Sequence, residues 1–335
     1  MGLIEIALDL GSKYTVIYKK GDGIVLREPS IVAVESLGKV RKVIAVGNKA
    51  ESMQDRTAEN IEFVNPINKG KVVNDRLCVE MVSAFLRKVA IPNFFNRFKC
   101  IVPVNSTMEK AELDKLKRVL FASGIRDVKF VPSIICSAIS ANLDLSGNTA
   151  HAVVNIGASC TEIAVINYYN IVLGGTIDYG GNLATECIKD YILETFKINT
   201  SFSNAEAAKC ETATLFENDN ISCSFTGACA SGEGQLYEVF TGRMAYKVLK
   251  DIYANIAKST KYIINKCNSE VIEDIAKNGI FITGGGSAIS GLRQYVSGLT
   301  NYNVIVDDNG ENSVVLGAGK LLSDYQLLTK ILRNN

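Results

Sequence analysis

The chain has 335 residues, and its charges nearly balance, with 36 Lys and Arg against 35 Asp and Glu. Hydrophobic residues make up 47% and charged residues 21%, a composition typical of a soluble globular protein long enough for two domains. The net charge of +1 argues against nucleic acid as a partner, and no apolar run is long enough to span a membrane.

The cysteines and the start of the chain favour a reducing compartment. Nine Cys are scattered without CxxC spacing, and the single histidine, His151, cannot anchor a metal cluster. The chain begins directly in a strand pattern, so we expect no signal peptide, a cytoplasmic location and reduced thiols.

Strand and helix patterns alternate along both halves of the chain, which predicts an α/β fold. In the first half, strands are predicted over 4–35, 100–104 and 128–131, and helices near 49–53, 76–89, 106–124 and 133–142. In the second half, hairpins are predicted over 151–179, a long helix over 241–266, and a strand over 280–283. Ser106 and Glu109 have the spacing of a capping box, which predicts a helix start at that point.

One pattern occurs twice, and the second copy starts 146 residues after the first. The first copy reads Leu8-Asp9-Leu10-Gly11-Ser12-Lys13-Tyr14-Thr15, and the second reads Val154-Asn155-Ile156-Gly157-Ala158-Ser159-Cys160-Thr161. Each copy combines an apolar strand, an acid or amide, a tight turn and a second alternating strand, which predicts a β-hairpin. Asp9 in the first copy is matched by the uncharged Asn155 in the second.

The turns of these two hairpins are candidate phosphate sites, because consecutive backbone N–H groups in a tight turn form an anion-binding concavity. The predicted phosphate-binding residues are Gly11, Ser12, Lys13, Tyr14, Gly157, Ala158 and Ser159. Either turn alone is also explained as an ordinary hairpin turn, but two copies, one in each half, favour phosphate binding. The chain has neither a GxxxxGK[ST] loop nor a GxGxxG motif, so P-loop and Rossmann folds are not supported.

Together with these hairpins, four further segments resemble the MreB family of bacterial actin-like cell-shape proteins, and the likeness covers nearly the whole chain. The segments are 23–30 (GIVLREPS), 103–104, 280–286 and 316–319. The resemblance implies a duplicated actin-like, ribonuclease-H-like α/β fold, with two domains that each have a larger and a smaller subdomain. It also implies that ATP and Mg²⁺ bind in the cleft between the domains, and that the protein assembles into filaments.

The same resemblance sets the expected domain boundaries. Domain I comprises 1–146 and 316–335, with a smaller subdomain at about 30–66. Domain II comprises 147–315, with a smaller subdomain at about 181–244.

The resemblance also assigns cofactor-binding residues in both halves. They are Asp9 and Asn155 for magnesium, and Glu206, Lys209, Gly284, Gly285, Gly286 and Ser287 for adenosine. The glycine run has the simpler interpretation of a strand-to-helix turn. Ser203 and Glu206 likewise have the spacing of a capping box, so Glu206 has a second interpretation.

The chain lacks several acidic residues that the resembling family uses to hydrolyse ATP. The family's magnesium-organising Asp is Asn155 here, and its water-activating Glu-Glu-Pro run is replaced by Phe130-Val131-Pro132-Ser133. Acids of the family are also missing at 181–183 and at Lys69-Gly70. Phosphoryl transfer to water needs a metal and a group that positions the water, so we expect weak or absent ATP hydrolysis. The alternative is that Asp9 still holds magnesium and a neighbouring residue replaces the base.

Phe94 and Phe95 lie in a predicted loop that is flanked by basic residues. These are Arg87, Lys88, Arg97 and Lys99. Exposed, the two aromatic rings would insert into a bilayer while the basic residues meet anionic headgroups, as an apolar loop does in some members of the resembling family. The alternative is that Phe95 or Phe98 packs beneath the loop as part of the core.

These observations lead to one leading hypothesis and two alternatives. We expect an ATP- and Mg²⁺-binding filament protein of the MreB type that acts in cell shape or envelope organisation at the inner face of the membrane. Its partners would be further copies of itself and an intact MreB relative. The first alternative is a nucleotide-independent scaffold that co-assembles with an active relative, and the second is an active ATPase of the plasmid-segregation type.

Overall fold

The computed structural model describes residues 3–38, 40–54, 60–90, 97–232 and 234–335. Within those ranges the strands are β1 Leu3–Leu10, β2 Tyr14–Lys19, β3 Gly23–Pro29, β4 Val32–Leu37, β5 Val40–Val46, β6 Ile61–Val64, β7 Ile67–Asn68, β8 Lys71–Val72, β9 Arg97–Val104, β10 Ile125–Pro132, β11 His151–Ile156, β12 Thr161–Asn167, β13 Asn170–Ile177, β14 Ile198–Asn199, β15 Ser222–Cys229, β16 Gln235–Thr241, β17 Ile280–Thr283 and β18 Val304–Val306. The α-helices are α1 Asn48–Glu51, α2 Asp75–Val89, α3 Lys110–Ala122, α4 Ser133–Ser140, α5 Gly181–Phe196, α6 Phe202–Thr212, α7 Gly242–Asn265, α8 Ser269–Asn278, α9 Leu292–Thr300, α10 Ser313–Leu321 and α11 Tyr325–Asn334. Short 3₁₀ helices cover Gly285–Ala288 and Gly310–Asn312.

The chain divides into two compact units, and the first comprises Met1–Asn148, Ile166–Val172 and Asn312–Asn335. Its main sheet has the strand order β10-β9-β1-β2-β3, in which β9 is parallel to both β10 and β1, and β2 is antiparallel to β1. Helix α2 begins after Asn74, whose side chain caps it, and buries Met81 and Phe85 in the core beneath this sheet.

Helices α4 and α10 of the first unit approach each other closely enough to exclude a side chain. A Cβ on Gly317 would lie 1.8 Å from the carbonyl oxygen of Cys136, so only glycine permits this approach. Lys320 then donates to the carbonyl oxygens of Ile139 and Ser140, both at 3.0 Å, and so caps the end of α4. Together these contacts fix α10 on the helix that follows β10.

The second unit comprises Thr149–Val165 and Leu173–Glu311. Its main sheet has the order β13-β12-β11-β17-β18, with β17 parallel to both β11 and β18. Helix α7 begins after its cap Thr241 and buries a stripe of apolar side chains in the core, because they recur on one helical face. Strands β1 and β11 hold equivalent places in the two units, since each lies between a parallel neighbour and its own hairpin partner.

Each unit also contains a three-stranded sheet. The order is β5-β4-β6 in the first unit and β14-β15-β16 in the second. The ranges predicted for the smaller subdomains, 30–66 and 181–244, each contain one of these sheets. Among the helices of the described residues, none combines the length and the apolar character needed to cross a bilayer.

The predicted capping box of Ser106 and Glu109 is wrong. Helix α3 starts later, with Glu109 as its N-cap, and the capping box is formed by Glu109 and Glu112. Asn105 Oδ1 accepts from both N and Oγ1 of Thr107, at 2.9 and 2.8 Å, so this segment forms a turn instead. A local side-chain turn therefore competes successfully with the cap that the spacing suggested.

Candidate functional site

The first hairpin turn, between β1 and β2, is held by its carbonyl oxygens. Gly11 O accepts from Ser30 Oγ at 2.7 Å, and Lys13 O accepts from Ser30 N at 2.9 Å. Between them, Ser12 O accepts from Asn65 Nδ2 at 3.3 Å. Every carbonyl group of this turn therefore has a protein donor that fixes its direction.

The direction of the carbonyl groups also fixes the direction of the N–H groups. In a planar trans peptide the N–H points opposite to the C=O, so the N–H groups of Ser12, Lys13 and Tyr14 point away from the donors that hold the turn. These are the N–H groups that the sequence predicts to bind phosphate in this half. The Arg27 guanidinium lies 4.0 Å and the Lys13 ammonium 5.6 Å from the centre of the Tyr14 ring, which places positive charge beside the turn.

The second hairpin turn, between β11 and β12, is held in the same way by a different element. Gly157 O accepts from Gly181 N at 3.0 Å, and Ala158 O accepts from Asn182 N at 2.7 Å. These donors belong to the first turn of α5, where backbone N–H groups have no partner within the helix. By the same peptide geometry, the N–H groups of Ala158 and Ser159 point away from α5.

Asp9 lies in β1, just before the first turn, and is half-buried. Within the described residues its carboxylate has no hydrogen-bond or ion-pair partner, and burial raises its pKa to about 7. A desolvated carboxylate without a counter-charge fits a hard cation such as Mg²⁺, which prefers oxygen ligands. No group of three His, Cys, Asp or Glu side chains in the described ranges could hold a metal ion by itself. Magnesium would therefore be held by Asp9 together with phosphate oxygens and water.

The glycine run after β17 contains residues with different surroundings. A Cβ on Gly284 would lie 2.3 Å from Ile156 O, and a Cβ on Gly286 would lie 2.3 Å from Ile156 Cγ2. Gly284 also has a φ of 89°, which a residue with a side chain rarely adopts. A Cβ on Gly285, by contrast, would have no atom of the described residues within 4 Å. Packing against β11 thus explains two of the three glycines, and Gly285 is the one that borders open space.

The glycine turn is closed by hydrogen bonds to its own backbone. Ser287 is buried and its Oγ donates to Gly284 O at 2.7 Å, so its hydroxyl serves the turn. Tyr253 OH donates to Gly286 O at 2.8 Å. Two hydrogen bonds therefore hold the turn, and its open side is the one at Gly285.

A cavity of about 460 Å³ in the second unit adjoins this turn. It is lined by Gly284 and Gly285, by the first turn of α9, and by the segment 306–311. Its volume lies within the range of small-molecule pockets. The glycine turn that resembles an adenosine contact therefore borders a space of suitable size for a ligand.

Glu206 and Lys209 lie on α6, and their charged ends are engaged with each other and with α5. Lys209 Nζ donates to Glu206 Oε2 at 2.6 Å, to Thr185 Oγ1 at 2.8 Å and to Gly181 O at 2.9 Å. An ammonium group has three hydrogens, so all three have acceptors within the protein. The predicted adenosine residues of this helix are thus next to the N-terminus of α5, which holds the second turn.

The alternative interpretation of Ser203 and Glu206 as a capping box is wrong. Helix α6 begins after Ser201, whose Oγ accepts from Asn204 N at 3.1 Å. Glu206 therefore lies beyond the first turn, and its carboxylate is directed to α5 rather than to its own helix end.

The positions that lack a family acid are spread over both units. Asn155 is the penultimate residue of β11, beside the glycine run, and its Oδ1 would lie 2.5 Å from a Cβ on Gly284. Val131 is buried at the end of β10, and Ser133 begins α4. Lys69 and Gly70 form the turn between β7 and β8 with φ angles of 50° and 74°. The unpartnered Asp9 is the one carboxylate that the described residues bring to a predicted magnesium position.

The predicted membrane residues Phe94 and Phe95 lie outside the described residues. Phe98, in β9, is partly buried and packs against the core of the first unit. Phe98 therefore packs as the alternative expected, while the membrane role of Phe94 and Phe95 stays a prediction.

Sequence reasoning missed the residues that hold the two turns. Ser30 and Asn65 lie 19 and 53 residues from the atoms they hold, and nothing local marks them. A signal did exist for the second turn, since Gly180 and Gly181 are adjacent glycines. A Cβ on Gly180 would lie 2.7 Å from Ala158 O, which is the close approach that such glycines permit.

Comparison with known proteins gives matches along the whole chain. A family model described as MreB/Mbl protein matches residues 3–330. The cell shape-determining protein MreB of Pasteurella multocida is 30% identical in an alignment of 327 residues that covers 95% of this chain and 92% of that protein. The cell shape-determining protein Mbl of Bacillus subtilis is 29% identical over 328 residues, which are 97% of this chain and 98% of that protein.

Solved structures with the same fold include those of two proteins, MreB5 and MamK. A crystal structure of MreB5 of Spiroplasma citri bound to AMPPNP has a TM-score of 0.91 at 22% identity and covers 100% of both chains. A MamK double helical filament has a TM-score of 0.79 at 18% identity and covers 96% of this chain and 99% of that one. At these identities the likeness concerns the fold alone, and it confirms the predicted duplicated actin-like α/β architecture.

Proposed function

Because the chain belongs to the MreB/Mbl family of cell-shape proteins, we propose that it is a cytoplasmic actin-like protein that binds ATP with Mg²⁺ and assembles into filaments. The main support for this proposal is the geometry of the two hairpin turns. Each unit has a hairpin turn whose carbonyl groups are held by the protein, so that its N–H groups face the opposite side. Among the structural neighbours, MreB5 is bound to AMPPNP or to ADP, and MamK forms a double helical filament.

In the proposed binding mode, each part of the nucleotide contacts a different group of residues. The N–H groups at 12–14 and 158–159 bind the phosphates, and Asp9 supports magnesium. Gly285 and the cavity beside it receive the adenosine. Nucleotide binding at the turns favours the conformation that is competent for assembly, and this coupling links nucleotide binding to assembly.

Titration calorimetry with ATP and Mg²⁺ tests this mode. We expect one nucleotide per chain, and weaker binding in Ser30→Ala, which loses the hydrogen bond to Gly11 O. Ser123→Ala is the matched control, because Ser123 is also buried and donates to a backbone carbonyl at 2.8 Å on α3. Neither heat nor a thermal shift on adding ATP to the wild-type protein would contradict the proposal.

We also propose that ATP hydrolysis is weak or absent. Asn155 brings no charge to magnesium, and the stretch from Phe130 to Ser133, which corresponds to the family's Glu-Glu-Pro run, has no carboxylate. Loss of a group that positions the attacking water commonly slows a reaction by about a hundredfold or more. Phosphate release from assembled protein at the rate of an active ATPase would refute this part.

A second candidate function is a scaffold that needs no nucleotide and co-assembles with an active MreB relative. The same missing acids favour it, because a protein that does not hydrolyse ATP can also dispense with binding it. Light scattering separates the two candidates. Assembly that rises with ATP and Mg²⁺ supports the first, whereas equal assembly without nucleotide, or only with an active relative, supports the second.

The filament would act at the membrane through Phe94 and Phe95, with basic residues on both sides of this segment. Among these, Arg87 and Arg97 are exposed. Replacing both phenylalanines with Ser should abolish co-sedimentation with vesicles that contain anionic lipid. Phe121→Ser is the control, since this ring is 39% exposed on α3. Unchanged sedimentation of the double variant would exclude membrane contact through this loop.

A further inference from the structure

Thr185, in the second turn of α5, is fully buried and lies at the centre of a polar cluster. Its Oγ1 is 3.0 Å from Gly181 O and 2.8 Å from Lys209 Nζ, and it also contacts a carboxylate oxygen of Glu206. The Lys209 and Glu206 side chains are only 14% and 16% exposed. The cluster is therefore a largely desolvated ion pair completed by one hydroxyl.

Gly181 connects this cluster to the second phosphate turn. Its N–H donates to Gly157 O at 3.0 Å, while its carbonyl oxygen accepts from Lys209 at 2.9 Å and lies beside the Thr185 hydroxyl. The preceding Gly180 is in direct contact with the turn, because a Cβ there would lie 2.7 Å from Ala158 O. A shift of the Gly181 backbone would therefore be passed to the turn without a flexible side chain in between.

We propose that Thr185 is a positioning residue, which locks the first turn of α5 through Lys209 and Glu206 and thereby sets the direction of the N–H groups of Ala158 and Ser159. The consequence for nucleotide affinity rests on the proposed function. The lock itself is a property of the free protein and is measured without any ligand.

The chemistry of the hydroxyl explains why no other group serves as well. A threonine hydroxyl accepts from the Lys209 ammonium and donates its one hydrogen to Gly181 O or to Glu206. Valine has the same shape but offers neither function. Without the hydroxyl, a buried ammonium lacks one of its acceptors, and such a group moves toward solvent rather than stay unpaired. Lys209 would then release Gly181 O.

The lock also gives Glu206 and Lys209 a role that differs from adenosine contact. A contact with adenosine affects ligands that contain adenosine, whereas a lock on the phosphate turn affects any ligand that uses the turn. Inorganic tripolyphosphate with Mg²⁺ distinguishes the two, because it has the phosphates without the nucleoside.

The experiment compares Thr185→Val with two reference variants. Thr185→Ser restores the hydroxyl and should rescue the defect. Thr260→Val is the matched control, since Thr260 is also buried and its hydroxyl donates to a carbonyl oxygen four residues back, at 2.8 Å, but on α7. Lys209→Met removes the ammonium group that bonds both Thr185 and Gly181 O, and so tests the same lock. It replaces Thr185→Val in the experiment if that variant does not fold.

The first readout is amide hydrogen exchange in the protein without ligand. Thr185→Val and Lys209→Met should speed exchange in 157–161 and 181–184, whereas Thr185→Ser and Thr260→Val should leave these segments as in the wild type. The second readout is affinity measured by calorimetry. Thr185→Val should bind both ATP and tripolyphosphate about tenfold more weakly, the effect of losing one hydrogen bond to a charged group.

The other outcomes either overturn the proposed role of Thr185 or show that nucleotide binding, and not the lock, is the part that fails. Unchanged exchange in 157–161, or an equal change in Thr260→Val, overturns the lock. Weaker ATP binding with unchanged tripolyphosphate binding assigns the cluster to adenosine and overturns the positioning role. A wild-type protein that binds neither ligand refutes the proposed function, while the exchange data still decide whether the lock exists.

Discussion

Replacing Asp9 with Asn removes a negative charge that has no partner among the residues that the structure describes. Burial raises the pKa of Asp9 from 3.8 to about 7. The ionised carboxylate therefore destabilises the free protein at neutral pH. Asn has nearly the same shape and no charge, so we expect Asp9→Asn to stabilise the protein while it removes the site for magnesium.

The size of the effect on the free energy of unfolding follows from the pKa values of Asp9 in the unfolded and the folded protein. The unfolded chain releases the proton near pH 3.8 and the folded chain near pH 7, so the free energy of unfolding falls as pH rises between these values. The shift is about three pH units, and each unit corresponds to about 1.4 kcal/mol, which gives at most about 4 kcal/mol above pH 7. Below about pH 4 both states are protonated and the effect is absent.

Thermal unfolding followed by circular dichroism measures this effect in wild type and Asp9→Asn between pH 4 and pH 8. The variant should unfold at a higher temperature at pH 8, by about 2–4 °C for each kcal/mol gained, and the difference should vanish toward pH 4. Added ATP and Mg²⁺ should raise the midpoint of the wild type more than that of the variant, because only the wild type has the carboxylate.

Two results would refute this reasoning. If Asp9→Asn is less stable than the wild type at pH 8 without ligand, the carboxylate is not an unsatisfied charge in the free protein. If ATP and Mg²⁺ stabilise both proteins equally, Asp9 does not support magnesium.

Three further predictions concern other parts of the fold. Gly284→Ala should lower the free energy of unfolding by about 2–4 kcal/mol, because its Cβ would meet backbone atoms. Gly285→Ala should leave the free energy of unfolding unchanged and weaken ATP binding. Equal losses of stability for the two variants in urea denaturation would contradict this distinction. Gly317→Ala should lower the free energy of unfolding by at least about 3 kcal/mol, since its Cβ would overlap the carbonyl oxygen of Cys136. A urea unfolding midpoint equal to that of the wild type would show that α4 and α10 are not in contact. Asn155→Asp combined with Ser133→Glu should raise the rate of phosphate release by about 10–100-fold, and an unchanged rate would mean that other groups limit hydrolysis.

The two hairpins could be predicted because a hairpin is a local structure. Strand, turn and strand are adjacent in the chain, so their residue types and spacing carry the information. The duplication then placed β1 and β11 in equivalent positions, as the repeat of Asp9 and Asn155 implied. Helix α7 was predictable for a similar reason, since a long apolar stripe recurs every three or four residues.

The groups that hold the turns could not be predicted, because they come from distant parts of the chain. Ser30 and Asn65 show no pattern that relates them to the first turn, and their role depends on how the strands pair. The two capping boxes failed for a related reason. Ser106 and Ser203 have the spacing of a cap, but a nearby turn in the first case and Ser201 in the second define the helix start.

Amide hydrogen exchange with and without ATP and Mg²⁺ is the most direct test of the proposed binding mode. We predict slower exchange at both hairpin turns, in 11–15 and in 157–161, when nucleotide is present. Protection of one turn only, or of neither, would contradict the proposal that both turns bind the phosphates.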